Sequence, residues 1–352
     1  MGGAQRQLVQ LSIGFKARGH SISFLTYHNI PFFKSDLEKH EIEITCIEIR
    51  NYIKRLFVIR RFIRNGNYDA VLSFLEAASF MCEFAGFPDR KWKLVVGERN
   101  SDPKIKKSFK RKFYRWMHLF ADYVVANSNA NIKLVRIINP FLAESKCRVI
   151  YNMVDFDVWT DGPVYLRRDD DIFNLVVMAR LSHQKNPYGL VKALMLLNSN
   201  ELKKIRIHWY GLNSDNDHDD SVNKAMEIIK TNGLENILSF YPASKNTPFI
   251  VRSADAVGLF SLYEGFPNSI CEAMALAKTV ICSAISDMPD LLSHESKLLF
   301  NPYDPLSIKH ALSYLINLND DQLIRIGKRN AEVAKRNFNK ENIISKYLGL
   351  LS

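Results

Sequence analysis

The sequence predicts an α/β protein made of two successive doubly wound, Rossmann-like units. Three observations carry this prediction. Short Val/Ile/Leu-rich runs alternate with helix-like stretches, a polar break falls near the middle, and the same rhythm then restarts. In the first half the strand-like runs are 21–28, 41–49, 68–76, 92–98, 121–128 and 147–152. Most are Val/Ile/Leu-rich and too short for helices. Helical patterns lie between them, at 4–18, 52–65 and 104–120. The segment 155–171, "DFDVWTDGPVYLRRDDD", is polar, carries Gly-Pro and has no consistent period, so it reads as a linker. Beyond it strands are expected at 173–181, 204–211, 237–242, 255–262, 279–284 and 297–302. Helices are expected at 186–198, 220–232, 246–253, 268–277 and from 304 onward. The predicted domains are 1–160 and 161–340, with a C-terminal helix over 341–352 that packs back toward the first domain. Ligands in such sheets bind beyond the carboxyl ends of the strands.

The 352 residues are 47% hydrophobic and 24% charged, enough for two cores. No apolar run reaches a membrane span, and the start lacks the pattern of a secretory leader. Five scattered cysteines without a CxxC pair argue for a reducing compartment and against a cysteine metal site. The net charge of +11 is unevenly placed. Residues 1–161 hold 26 basic and 16 acidic residues, the remainder 22 and 21. An anionic membrane, a phosphorylated substrate or nucleic acid could each answer that excess. Nucleic acid is disfavoured because no binding module is recognisable.

The most informative stretch is "SLYEGFPNSICEAMALAK", 261–278. A strand ends at Leu262, Glu264 and Gly265 turn the chain, and a helix starts near Asn268. Glu264 at the strand end and Glu272 in the opening turns of the helix can face one ligand from different heights. Backbone amides of Phe266, Asn268 and Ser269 would point to the same place, where helix N-termini favour anions. Carboxylates beside an anion site make sense if they bind hydroxyls, and a sugar-nucleotide offers both hydroxyls and a diphosphate. The plain alternative is that Glu272 complements the helix dipole and Glu264 is a surface loop residue. Upstream, "ARLSHQKNPYGLVKAL" delivers Arg180 to a strand end and Lys185 to the following turn. Together they suit a diphosphate, although either alone is ordinary solvated charge.

These motifs resemble the donor site of the family 4 retaining glycosyltransferases of GT-B fold, whose pattern is E-G-[FY]-x-x-x-x-x-E-A with an upstream R-x-x-x-x-K. "GGAQRQL", "GERNSDP", "ANSNA" and "VIYNMVDFD" extend the resemblance over the chain. It implies two domains facing across a cleft, with an acceptor-binding first domain and a donor-binding second. It implies that Arg180 and Lys185 bind the donor diphosphate, Glu272 the ribose hydroxyls and Glu264 the transferred sugar. Amides from Gly265 to Ser269 would complete the cradle, and Gly2 and Gly3 would close over the phosphates. The base would lie near 241–246, with Arg99 and Asn100 on the acceptor side. No metal or other cofactor is implied. The expected donor is a UDP-sugar and the expected acceptor a lipid-linked bacterial glycan. The expected location is cytoplasmic, peripheral on the inner membrane face. A non-catalytic sugar-nucleotide-binding subunit and a GT-B nucleotide-sugar epimerase are the alternatives.

The sequence departs from that family in three places. The strand that precedes the Gly-Gly loop is absent, which would leave a central sheet position unpaired and suggests that Met1 is an internal start. "SDMPD" (286–290) replaces a Gly-Gly-x-Pro-Glu pattern, and Tyr241 replaces a glycine. Of the weaker signals, 213–220 reads as a solvated loop, and His28, His118, His183 and His208 show no partner at ligand spacing. In "KIKKSFKRKFYRWMHLF" (104–120) Ile105, Phe109, Phe113, Trp116, Met117 and Phe120 fall at helical spacing. That stripe is expected to pack inward, leaving a basic back that can meet anionic lipid.

Overall fold

The computed structural model describes residues 3–29, 31–159, 172–212 and 219–352. The chain divides into two compact units: residues 1–153 with 340–352, and residues 154–339.

Unit 1 contains β1 (Ser23–Thr26), β2 (Glu43–Cys46), β3 (Ala70–Phe74), β4 (Lys93–Glu98), β5 (Tyr123–Ala126) and β6 (Cys147–Val149). All its pairings are parallel, but they form two sheets, β1-β2 and β3-β4-β5-β6. Between β1 and β3 lies a cavity of about 760 Å³, lined by both strands and by apolar side chains such as Val9, Phe15, Ile59 and Met81. The four-stranded sheet is covered on both sides, as parallel sheets require. Leu11, Phe15, Ile343, Ile344 and Tyr347 pack on one side; Ile59, Ile63, Met81 and Val135 pack on the other. The C-terminal Lys340–Leu351 helix therefore belongs to unit 1. Gly14 lets it approach, since a Cβ there would stand 2.2 Å from Ile344 Cδ1.

The boundary sits earlier than 160. Val154 forms a parallel bridge with Asn339, and its N–H donates to Phe338 O, which ties the segment after Met153 to unit 2. Most of the predicted linker, 160–171, lies outside the described residues.

Unit 2 carries one six-stranded parallel sheet, β12-β11-β10-β7-β8-β9. Its strands are β7 (Phe173–Met178), β8 (Ile205–Leu212), β9 (Leu238–Pro242), β10 (Ala256–Leu259), β11 (Thr279–Ser283) and β12 (Leu299–Phe300). β10 and β11 are buried along their whole length, which is why they read as continuous apolar runs.

The basic segment corrects the sequence expectation twice. It is not one helix but a 3₁₀ turn Pro103–Lys107, an α-helix Phe109–Trp116 and a second 3₁₀ turn Met117–Phe120. Asp102 and Ser108 accept the N–H groups of Lys104 and Arg111, so the first two pieces each start at their own cap. The helix is also turned over. Phe109 is 85% exposed and Arg115 is 0% exposed. The cause lies beneath it, where the buried Glu98 and Glu83 need cationic partners. Arg115 donates to Glu98 Oε2 at 2.8 Å and Glu76 Oε1 at 3.0 Å. His118 bridges Glu83 at 2.6 Å and Glu98 at 3.0 Å. A buried carboxylate without a partner costs several kcal/mol, about as much as burying two aromatic side chains gains. The charged face wins the interior.

Candidate functional site

β7 ends at Met178 and Ala179–Arg180 follow at its carboxyl end. Two contacts fix this exit. Trp209 Nε1 donates to Ala179 O at 2.7 Å, and Leu181 N to Gly211 O at 2.9 Å. Gly211 has φ +143°, and a Cβ on it would stand 2.1 Å from Ala179 O, so only glycine lets β8 pass beneath Arg180. Arg180 itself is exposed.

The turn that carries Lys185 is held at both ends. Asn186, in the left-handed region at φ +61°, caps the Pro187–Leu194 helix through Gly189 N and donates to Pro302 O. Gln184 is stitched to the loop after β10: Leu262 N donates to Gln184 O at 2.8 Å, and Gln184 Nε2 donates to Tyr263 O at 3.0 Å. That stitching sets Lys185 against Glu264, and the two form an ion pair at the half-buried strand ends. The same Glu264 oxygen accepts Ser261 Oγ at 2.7 Å. The structure thus brings together Lys185 and Glu264, which lie 79 residues apart in the sequence.

The Asn268–Ala275 helix starts directly after this loop and carries the half-buried Glu272 on its second turn. The amide of Asn268 donates to Phe266 O at 3.1 Å, so it is committed within the turn, contrary to expectation. Phe266 is buried with its ring edge-on to Phe338, so any role it has toward a ligand falls to its backbone. Ser269 is half-buried at the helix start. Gly265 O accepts Ser286 Oγ at 3.0 Å, and Ser286 takes φ +52°. The "SDMPD" segment therefore keeps a left-handed turn beside Gly265 without a glycine, at a cost of about 1 kcal/mol. Tyr241 stacks on Tyr210 with ring centroids 4.9 Å apart, at the carboxyl end of β9.

The remaining predicted residues lie in unit 1. Gly2 is outside the described residues, and Gly3 opens the Gly3–Ala17 helix. Arg99 is occupied: it donates to Asn152 Oδ1 and Tyr347 OH, and its guanidinium lies 3.9 Å from the Phe74 ring centre. It joins the C-terminal helix to the sheet. Asn100 contacts Glu76 at 3.5 Å and accepts Asp102 N at 3.0 Å. Of the predicted loop at 213–220, residues 213–218 are not described; Asp219 caps the Asp220–Thr231 helix and accepts His183 N.

Sequence reading missed Gly211, Asn186 and Gln184. Their signals are weak singly: a glycine at a strand end, an asparagine before proline, a glutamine in a loop. It also missed the His118 network, whose members are 20 and 35 residues apart and share no local pattern. Burial alone would strip the proton from His118, but Glu83 and Glu98 outweigh it and raise its pKa to about 9.

A model described as Glycosyltransferase Family 4 matches residues 1–158, and one described as Glycosyl transferases group 1 matches residues 164–333. The "GalNAc-alpha-(1->4)-GalNAc-alpha-(1->3)-diNAcBac-PP-undecaprenol alpha-1,4-N-acetyl-D-galactosaminyltransferase" of Campylobacter jejuni is 22% identical over 100% of this chain and 95% of its own length. A second Campylobacter jejuni N-acetylgalactosaminyltransferase, whose named acceptor is also linked to diphospho-undecaprenol, is 24% identical over 81% of this chain and 76% of its own. Anabaena HepE, solved with UDP and glucose, superimposes with a TM-score of 0.81 at 20% identity, covering 99% of this chain and 96% of that one. The chain belongs to the family 4 glycosyltransferases of GT-B fold, and it is a hexosyltransferase.

Proposed function

We propose that the protein transfers a sugar from a UDP-sugar to a lipid-linked bacterial glycan, with retention of configuration, while peripheral on the inner face of the cytoplasmic membrane. The observation that carries the donor site is the meeting of Lys185 and Glu264 at the carboxyl ends of β7 and β10, near Arg180. Arg180 and Lys185 take the diphosphate, Glu264 the transferred sugar and Glu272 the ribose hydroxyls. Amides around Gly265 and Ser269 complete the cradle.

The chemistry follows from where charge develops. As the bond from C1 to the phosphate oxygen breaks, positive charge grows on the sugar and negative charge on the leaving diphosphate. Preorganised cations act on that growing charge. The acceptor hydroxyl bonds to C1 from the same face, and its proton passes to the leaving phosphate oxygen, which leaves as UDP. With Glu264 on the sugar and Glu272 on the ribose, no carboxylate pair brackets C1 as in a glycosidase.

The lipid-linked acceptor is supported by the named activities of the Campylobacter relatives and by the basic first unit. UDP is supported by its presence in the Anabaena neighbour. The reading is tested by calorimetric titration of UDP into the wild type and Glu272→Ala. Loss of about 1.5–3 kcal/mol in the variant is expected for a hydrogen bond to a charged group. Equal binding by both, or no binding by the folded wild type, overturns it.

A further inference from the structure

We infer that the exposed aromatic face around the Phe109–Trp116 helix docks on the surface of an anionic lipid bilayer, with its rings entering the headgroup layer. This rests on the proposal of a lipid-borne acceptor and names the residues that would reach it.

Three observations carry it. Because the interior claims Arg115 and His118, the stripe Phe109, Phe113, Trp116 and Phe120 is left facing outward, each ring 40% exposed or more. The stripe is not isolated. Trp116 lies 5.6 Å from Phe141, which is 71% exposed. Phe113 connects through Phe80 and Phe84 to Phe57, at centroid spacings of 5.8, 6.5 and 5.6 Å. Exposed rings on this scale mark an interaction surface.

The charge around the rings selects the partner. From Pro103 to Phe120 there are five lysines, two arginines and no acidic residue. Lys104, Lys106, Lys107, Lys110 and Lys112 are all exposed beside the rings. Aromatic rings flanked by long basic side chains match a bilayer interface, where the rings enter the acyl boundary and the amines reach lipid phosphates. Among the described residues no helix is long and apolar enough to cross a membrane, so the contact would be peripheral.

The structure supplies its own probe. The chain has four tryptophans, and Trp92, Trp159 and Trp209 are buried, so emission that responds to lipid reports Trp116. The experiment is flotation with phosphatidylcholine vesicles and with vesicles one-third phosphatidylglycerol, recording tryptophan emission in parallel. Flotation with the anionic vesicles alone and a blue shift are expected. Phe109→Ser with Phe113→Ser should remove the shift. Lys106→Gln, Lys107→Gln and Lys110→Gln together should weaken binding about 100-fold. The inference is overturned by no flotation, by equal binding to both vesicles, by unchanged binding of the variants, or by binding only when a second protein is added. UDP titration of the same samples separates the two readings, because these substitutions lie outside the donor site and should leave it unchanged.

Discussion

The two units place their charged residues in opposite ways. In unit 2 Lys185 and Glu264 meet at the half-buried mouth of the sheet, on loops that follow β7 and β10. In unit 1 Arg115, Glu98, His118 and Glu83 meet in the interior, and the aromatic residues that would ordinarily fill such a space face outward. The same residue types therefore have different consequences. The pair at the mouth keeps some contact with solvent, its side chains 18% and 11% exposed. The buried set holds the Phe109–Trp116 helix against the sheet, and it decides which face that helix shows to the outside.

Removing members of each set should expose that contrast. Arg115→Ala leaves Glu98 buried without its guanidinium and should destabilise unit 1 by about 3–5 kcal/mol in urea unfolding. A loss below about 1 kcal/mol would mean the network does not orient the helix. Next in size is the response to pH. His118 has its pKa raised in the folded state, to about 9 from 6.5. Its contribution is full below pH 6.5 and is lost as pH rises through 9, on the order of 3 kcal/mol in all. The urea midpoint should fall across that window, and His118→Gln should flatten the slope whatever its own stability. The smallest stability effect belongs to Lys185→Ala, about 1–2 kcal/mol, for a pair between surface and interior. Sugar transfer by the same variant should nevertheless drop about 10²–10³-fold, the usual loss when one group that stabilises transition-state charge is removed. A variant that loses stability but keeps its transfer rate would reverse the comparison.

The positions of all twelve strands among the described residues were legible in the sequence, β10 and β11 as continuous apolar runs buried on both faces and β8 as a strand buried at every second residue. The placement of Arg180, Lys185, Glu264 and Glu272 at strand ends and a helix start was legible too, since Glu264 and Glu272 share one strand–turn–helix and Arg180 and Lys185 share another. What joins those two segments was not. Gln184 and Asn186 act through backbone carbonyls at Tyr263 and Pro302, and a side chain bonded to a distant carbonyl leaves no local pattern. The free-amide picture at Asn268 failed for a local reason, because the turn after Pro267 closes on its own carbonyl at Phe266.

Helical spacing over 104–120 placed Ile105 correctly in the interior but assigned the aromatic members of its stripe to the wrong side. Periodicity determines that two faces exist, and the apolar one is ordinarily the buried one. Which face turned inward was decided by Glu83 and Glu98, brought beneath the helix by other elements of unit 1. By itself the sequence determined the rhythm of the two units, the sites at their strand ends and the uneven charge between them, because each is written in neighbouring residues. Only the tertiary structure decided the pairing of Lys185 with Glu264, the stitching of their two loops, and the outward aromatic face. Each of those depends on residues far apart in the chain that meet only in the fold.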